Sequence, residues 1–186
     1  VGNPMSSFFV FQQVYDEAGK TLEGVYVDRN HDGQITDDDR YVYYKPDADV
    51  NIGFNTEVSY KKWTLSASLR SSLGNYVYNN IASNTEMKAD MWTNNFICNR
   101  VSTAPYTNFN QAQYRSDYYV QNASYLKLDK VTLAYNITDW VRVNFTAQNI
   151  FTITNYDGVD PEVGNGIDNN MYPRPRNFIL GASFNF

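Results

Sequence analysis

The clearest hydrophobic pattern lies in the C-terminal half of the chain, where apolar and polar residues alternate one by one. This alternation is strict in residues 141–148 (VRVNFTAQ), and it recurs in residues 131–137 and 178–186. A period of two predicts β-strands that have one apolar and one polar face. Thr138-Asp139-Trp140 separates the first two of these runs, which predicts a tight hairpin turn.

The middle of the chain repeats this pattern. Residues 50–60 and 63–70 alternate in the same way, and Lys61-Lys62 between them predicts a second short turn. Residues 8–16 (FFVFQQVYD) also predict a strand, although their alternation is poorer. The chain therefore predicts about six antiparallel strands, with a short helical piece inside residues 82–97.

The connections between the strands alternate in length. Long excursions over residues 17–48, 80–118 and 155–175 alternate with the two short turns. Short turns on one side and long loops on the other are typical of an outer-membrane β-barrel, whose short turns are periplasmic and whose long loops are extracellular. A soluble β-sandwich also alternates, although its loops are usually shorter and more even. A transmembrane barrel needs about eight strands or more, so the barrel interpretation implies further strands.

Composition narrows the possible chemistry. The net charge of −5 argues against nucleic acid as the main partner. The chain has one cysteine, Cys98, and one histidine, His31, which argues against a disulfide framework, a Ser–His–Asp site and a zinc site with several histidines. We therefore expect no enzyme. Tyr, Phe and Trp make up 16% of the residues, which is typical of strand-rich proteins and of the aromatic girdles of membrane barrels.

Residues 28–39 (DRNHDGQITDDD) have the spacing of a calcium-binding loop. In this interpretation the ligands are Asp28, Asn30, Asp32, the backbone carbonyl of Gln34, and Asp39. The glycine at position 33 permits the sharp turn, and calcium would have a structural role in pinning a long loop. The alternative is an Asp/Asn turn whose side chains accept hydrogen bonds from backbone amides.

Two other groups of residues are weaker candidates. Aromatic residues in the second long excursion could stack on sugar rings or pack the loop; the candidate ligand contacts are Trp92, Tyr106 and Tyr114. Asp157, Asp160, Glu162 and Asp168 lie in the last excursion, where we expect a solvated acidic loop rather than paired catalytic carboxylates.

Four ordered motifs resemble the C-terminal part of the SusC/RagA family of TonB-dependent outer-membrane transporters. The motifs are GVYVDRNHDGQITDDD at 24–39, YYVQNASYLKLDKVTLAYNI at 118–137, AQNIFTITNYDGVDPEV at 147–163 and YPRPRNFILGASFNF at 172–186. This resemblance implies that residues 1–186 are a C-terminal segment of a TonB-dependent receptor β-barrel, in which the plug and the earlier strands are absent. Family members are 22-stranded barrels that contain a plug.

The resemblance also implies a function. The whole receptor would import oligosaccharides or peptides across a Bacteroidetes-type outer membrane, with energy delivered by TonB through an N-terminal part that this chain lacks. A SusD-like surface lipoprotein would be the partner, the long loops would be extracellular and the C-terminus periplasmic. Lys130, Arg142 and Gln148 would line the lumen. The alternative is a soluble secreted calcium-binding β-sandwich that binds glycan.

Overall fold

The computed structural model describes residues 2–87, 101–169 and 172–185. The strands are β1 (Phe8–Val10), β2 (Gln13–Tyr15), β3 (Thr21–Tyr26), β4 (Tyr41–Tyr43), β5 (Val50–Tyr60), β6 (Trp63–Leu73), β7 (Tyr76–Asn79), β8 (Val120–Asn122), β9 (Tyr125–Asn136), β10 (Val141–Thr154), β11 (Ile167–Asp168) and β12 (Asn177–Phe184). The helices are α1 (Asn80–Thr85) and α2 (Ala104–Thr107), with 3₁₀ turns at Asp37–Asp39 and Asp117–Tyr119. None of the helices in these ranges is long and apolar enough to cross a membrane.

The chain divides into two compact units. The loop unit comprises residues 1–47, 75–122 and 156–171, and the sheet unit comprises residues 48–74, 123–155 and 172–186. The three long excursions predicted from the sequence therefore supply most of the loop unit, whereas the alternating runs supply the sheet unit.

The sheet unit is one antiparallel sheet with the strand order β12-β10-β9-β6-β5. Both predicted hairpins are present: β5 and β6 are joined at Lys61-Lys62, and β9 and β10 are joined through residues 137–140. Ile137 N donates to Val141 O over 2.9 Å, which closes the second turn. The alternating residues therefore form the strands that their period predicts.

Because of the cross-strand register, residues of similar polarity lie side by side in rows across this sheet. One row contains an apolar residue from each of the five strands: Val58, Leu65, Leu133, Phe145 and Leu180. These side chains are between 40% and 82% exposed, so no described part of the chain covers them. A neighbouring row on the same face contains Tyr60, Trp63 and Tyr135, and the rings of Trp63 and Tyr135 lie 4.5 Å apart. The sheet thus presents an apolar face with an aromatic edge.

The single strand predicted over residues 8–16 is wrong, since these residues do not form one continuous strand and are not part of this sheet. They form two short strands in the loop unit, where β1 pairs with β4 and β2 pairs with β3. Their pattern explains the difference, because Phe8 to Phe11 are apolar in succession and do not define one face. Phe8 and Val10 are instead buried in a small core with Val120.

The loop unit also departs from purely antiparallel pairing. β11 pairs with β7 in parallel, and Phe11 forms a parallel bridge with Ser116. These short pairings join segments that are distant in sequence. The hydrophobic period of a segment does not predict such a partner. The predicted helical piece corresponds to α1, capped by the Asn79 side chain, which accepts from Ala82 N over 2.9 Å; residues 88–97 of its range lie outside the described residues.

A β-bulge in β10 links two of the sequence motifs. The register of β9 and β10 shifts between Gln148 and Phe151, and Asn149 adopts a left-handed conformation with φ 53°. Asn tolerates this region better than most residues. Its side-chain amide donates to Arg174 O over 2.9 Å and to Pro175 O over 3.2 Å, which fixes the chain before β12.

Replacement of Asn149 tests this link. We expect Asn149→Ala to lower the free energy of unfolding by about 1–3 kcal/mol, because two hydrogen bonds are lost and alanine is strained at positive φ. The matched variant Asn149→Gly loses the same hydrogen bonds, but glycine adopts a positive φ without strain. Its loss, measured by thermal or denaturant unfolding, should be smaller; equal losses for both variants would contradict the role of backbone strain.

Candidate functional site

The acidic loop at residues 28–39 is closed by one buried carboxylate. Asp39 is fully buried, and its Oδ1 accepts hydrogen bonds from Arg29 N over 2.8 Å and from Asn30 N over 3.3 Å. Its Oδ2 accepts from Thr36 N over 2.7 Å. These bonds, led by that of Thr36, hold the pKa of Asp39 below its usual value. Asp39 therefore ties the beginning of the loop to its end.

The other predicted calcium ligands also accept hydrogen bonds from the backbone of their own loop. Asp28 accepts from His31 N over 2.7 Å and from Gly33 N over 2.8 Å. Asn30 Oδ1 accepts from Asp32 N over 3.0 Å, and Asp32 Oδ1 accepts from Gln34 N over 2.8 Å. This is the Asp/Asn turn that the sequence left as the alternative.

These contacts bear on the fit of a calcium ion. Among the residues that the structure describes, no group of three or more His, Cys, Asp or Glu side chains is arranged to hold a metal. The arrangement seen is a hydrogen-bonded loop in which Asp28, Asn30, Asp32 and Asp39 accept from backbone N–H groups. Calcium binding at Asp28, Asn30, Asp32, Gln34 and Asp39 stays a prediction.

Contacts of Arg29 and Asp117 anchor the strands beside the loop. Arg29 donates to Gln12 Oε1 over 2.9 Å, and its guanidinium lies 4.5 Å from the ring centre of Tyr41. The Tyr41 hydroxyl donates to Asp117 Oδ2 over 2.7 Å, while Asp117 Oδ1 accepts from Gln13 N over 2.9 Å. Burial and the nearby Asp117 carboxylate raise the pKa of Tyr41, so the tyrosine stays a hydrogen-bond donor.

Glu23 was missed at the sequence level, although it organises the second long excursion. Its carboxylate accepts from the backbone N–H groups of Asn110 over 2.8 Å and Gln111 over 2.7 Å. A further hydrogen bond joins the same two segments, since Gln113 Oε1 accepts from Gly24 N over 2.6 Å. Glu23 lies in a run with no motif, and partners almost ninety positions away leave no signal in a single sequence.

An open groove of about 790 Å³ lies in the loop unit. Residues 6–11 form much of its lining, together with Tyr78, Tyr114 and Arg115. Among the candidate ligand residues that the structure describes, Tyr114 lines this groove. Tyr106 is 81% exposed and does not line it.

Two other aromatic residues of the second long excursion were considered as ligand contacts or as packing residues. Trp92 lies outside the described residues. Phe109, from the same excursion, is buried and meets the ring of Tyr118 edge-on. Phe109 therefore packs the loop, which was one of the two roles considered for this group.

The last excursion is less solvated than its composition suggests. Asp168 is fully buried, and the Tyr156 hydroxyl donates to its Oδ2 over 2.7 Å. Asp160 is also buried, and its Oδ1 accepts from Glu162 N over 3.0 Å. The expectation of a solvated acidic loop is wrong for these two residues, because each carboxylate serves a local hydrogen bond; Asp157 is exposed, as expected.

A polar row crosses the other face of the sheet unit. It contains Asn55, Ser68, Lys130, Gln148 and Asn177, one from each strand. The guanidinium of Arg70 makes an ion pair with Asp129, with Nη2 donating to Oδ1 over 3.0 Å. Lys130 and Gln148, two of the predicted lumen residues, are thus direct cross-strand neighbours, while Arg142 pairs with Asn136 and Ser183.

Known proteins similar to this chain are TonB-dependent receptors. No family model matches it. The chain is 43% identical to the TonB-dependent receptor SusC of Bacteroides thetaiotaomicron over 199 residues, which cover all of this chain and 20% of SusC. It is 25% and 30% identical to two TonB-dependent receptors of Formosa agariphila, with 100% and 87% of the chain covered. The chain spans about one fifth of the length of these relatives.

Solved structures show the same fold. The RagAB peptide transporter superposes with a TM-score of 0.69 at 22% identity, over 96% of this chain and 22% of that one. The open-open state of the RagAB peptide importer gives a TM-score of 0.70 at 23% identity, over 97% of this chain and 22% of that one. The mostly antiparallel β architecture therefore matches the C-terminal part of the RagA barrel, and the barrel is not closed within this chain.

Asp39→Asn tests the closure of the acidic loop. The amide offers one acceptor oxygen instead of two, so the variant loses hydrogen bonds to the backbone and should unfold at a lower temperature than the wild type. The matched control Asp38→Asn changes an exposed carboxylate and should leave the midpoint unchanged.

The pH dependence of this difference follows from the lowered pKa of Asp39. Stability from a carboxylate with a lowered folded-state pKa is present above its unfolded pKa, about 4, and is lost as the pH falls through the folded-state pKa. The difference in midpoint between wild type and Asp39→Asn should therefore shrink below about pH 4. A constant difference down to strongly acidic pH would contradict the assignment.

Proposed function

Because the chain belongs to the SusC/RagA-type TonB-dependent receptors and corresponds to their C-terminal part, we propose that it forms part of the wall and the outward loops of an outer-membrane importer. The receptor family is one of transporters rather than enzymes. In this proposal the sheet unit is a section of the barrel wall, and the loop unit consists of its extracellular loops.

The uncovered apolar face of the sheet carries the proposal. In water a contiguous apolar surface on five strands would be a strong drive to associate. Lipid removes that drive, and a barrel wall places its apolar residues outward and its polar residues toward the lumen. The two faces of this sheet, with Leu65 and Phe145 on one and Lys130 and Gln148 on the other, support that orientation.

Strand lengths and connections support a membrane-spanning wall. β5, β6, β9 and β10 contain 11, 11, 12 and 14 residues, enough for strands that cross tilted. Their short turns would lie in the periplasm and the long excursions outside the cell. Asn185 N donates to Trp140 O over 3.0 Å, so β12 ends beside a short turn and its end would also be periplasmic.

The remainder of the barrel must come from strands outside this sheet. β5 and β12 are its edges among the described residues, and an open edge within lipid would leave backbone groups without partners. We propose that the rest of a complete receptor supplies the missing strands and the plug, and that TonB acts through an N-terminal part.

A SusD-like lipoprotein is the partner that we propose for the loop unit, and an oligosaccharide or a peptide is the proposed substrate. The name RagAB and its description as a peptide transporter belong to that complex, and they support both parts of the proposal by similarity of fold. The groove beside Tyr114 offers an aromatic wall to either kind of ligand. Calcium in the loop at residues 28–39 is kept as part of the proposal, with a structural role.

Cell fractionation tests the location. An antibody against this chain should detect a band several-fold heavier than 21.4 kDa in the outer membrane of the source organism. A band of 21.4 kDa in the secreted or soluble fraction would instead support the calcium-binding β-sandwich.

A pair of arginine substitutions tests the lipid-facing side of the sheet. In the complete receptor, Leu65→Arg should place a charge against lipid and destabilise the barrel by about 2–4 kcal/mol near the midplane and less toward the interface. The matched control Ser66→Arg alters the next residue, which points to the polar face beside Glu57, and should be tolerated. The readout is the amount of folded receptor in the outer membrane; equal loss for both variants would contradict the assigned faces.

A further inference from the structure

A small polar cavity of about 110 Å³ lies in the loop unit, apart from the acidic loop and the open groove. Four separate parts of the chain line it, and the side chains with polar atoms include Asn79, Glu86, Thr103, Tyr119, Gln121 and Asp157. A volume of this size accommodates an ion with a few water molecules, since one water occupies about 30 Å³ in the liquid.

Two buried polar atoms at this cavity lack hydrogen-bond partners. Glu86 is 2% exposed and Tyr119 is 1% exposed. Within the part of the chain that the structure describes, neither Glu86 Oε2 nor the Tyr119 hydroxyl has a hydrogen-bond partner. Burial and the neighbouring Glu86 carboxyl group raise the pKa of the Tyr119 hydroxyl, so the hydroxyl stays protonated beside that group. A buried polar atom without a partner is costly, so a missing occupant is the direct explanation.

The charged groups at the cavity indicate the charge of this occupant. Among the described residues that line it, Glu86 and Asp157 carry carboxylates and none is Lys, Arg or His. Burial, and to a smaller extent the charge of Asp157, raise the pKa of Glu86, while hydroxyls from Thr103, Tyr119 and Thr107 oppose that rise. Two negative groups and several neutral oxygens, with no basic side chain in the lining, favour a cation.

We propose that this cavity binds a hard metal cation of the calcium type, anchored by Glu86 Oε2. Carboxylate, amide and hydroxyl oxygens are the ligands that such ions prefer, and the cavity offers all three kinds from Glu86, Asp157, Gln121 and Thr103. Two carboxylates are few, so binding should be weak, on the order of 10⁻⁴–10⁻³ M.

The bound ion would hold separate segments of the chain together. Glu86 follows α1, Tyr119 ends a 3₁₀ turn, and Asp157 lies in the last long excursion. An ion that binds only the folded arrangement stabilises it by mass action. This site is independent of what the receptor imports, and it would exist whether or not the acidic loop binds calcium.

The test is thermal unfolding of the complete receptor in detergent, after treatment with a chelator and then with calcium added at millimolar concentrations. Calcium should raise the midpoint of the wild type, and Glu86→Gln should abolish this rise. In chelator, Glu86→Gln should be at least as stable as the wild type, because it removes a buried carboxylate that lacks a counter-charge. A purely structural carboxylate would show the opposite result in chelator.

Three further variants keep the test decisive. Asp157→Asn should raise several-fold the calcium concentration needed for half of the shift, and Tyr119→Phe should weaken the response while keeping the packing of the ring, so both report even if Glu86→Gln does not fold. Asp32→Asn, in the acidic loop, should leave the response intact.

Several results would overturn the proposal. These are a response in Glu86→Gln equal to that of the wild type, loss of the response in Asp32→Asn instead, or a wild type that calcium does not stabilise. Stabilisation by methylammonium but not by calcium would also overturn it, since the cavity would then select an organic cation.

Discussion

Backbone hydrogen bonding between neighbouring strands is the constraint on which the structure depends. Hydrocarbon offers no partner for an N–H or C=O group, so a wall that crosses lipid must pair its strands along their whole length. The pairing of β5, β6, β9, β10 and β12 fixes the register, and the register sets which residues share a row. The apolar face, the polar face and the aromatic edge are therefore consequences of one ladder.

The loop unit meets a different problem, because its segments are long and form little regular structure. Carboxylates take the place of a large apolar core. Asp39, Glu23 and Asp117 each accept hydrogen bonds from backbone N–H groups, and those of Glu23 and Asp117 come from distant segments. The ionised acceptor makes these bonds stronger than neutral ones. The acidic residues of the loop unit thus stabilise its fold as well as making it soluble.

The sequence predicted the sheet well and the loop unit poorly, for a physical reason. Strands β5, β6, β9, β10 and β12 follow from their period of two, and both short turns are where Lys61-Lys62 and Thr138-Asp139-Trp140 predict them. The single strand predicted over residues 8–16 is two short strands in the structure, and its consecutive apolar residues had not defined one face. Burial of Asp168, the clamp of Glu23 and the cavity at Glu86 depend on contacts between distant segments, which periodicity does not encode. The family resemblance is confirmed by the match to SusC along the whole chain.

The alternation of rows in the sheet has a consequence for the route that such a chain takes to its membrane. Because every second residue in the strands is polar or small, no stretch of the unfolded chain is apolar for the eighteen or so residues that a membrane-spanning helix requires. The strands therefore contain no segment with the pattern of a membrane-spanning helix. The affinity of the chain for lipid arises only when neighbouring strands pair and bring their apolar residues onto one surface. The surface that lipid can solvate thus depends on when the strands pair, rather than on how hydrophobic the sequence is.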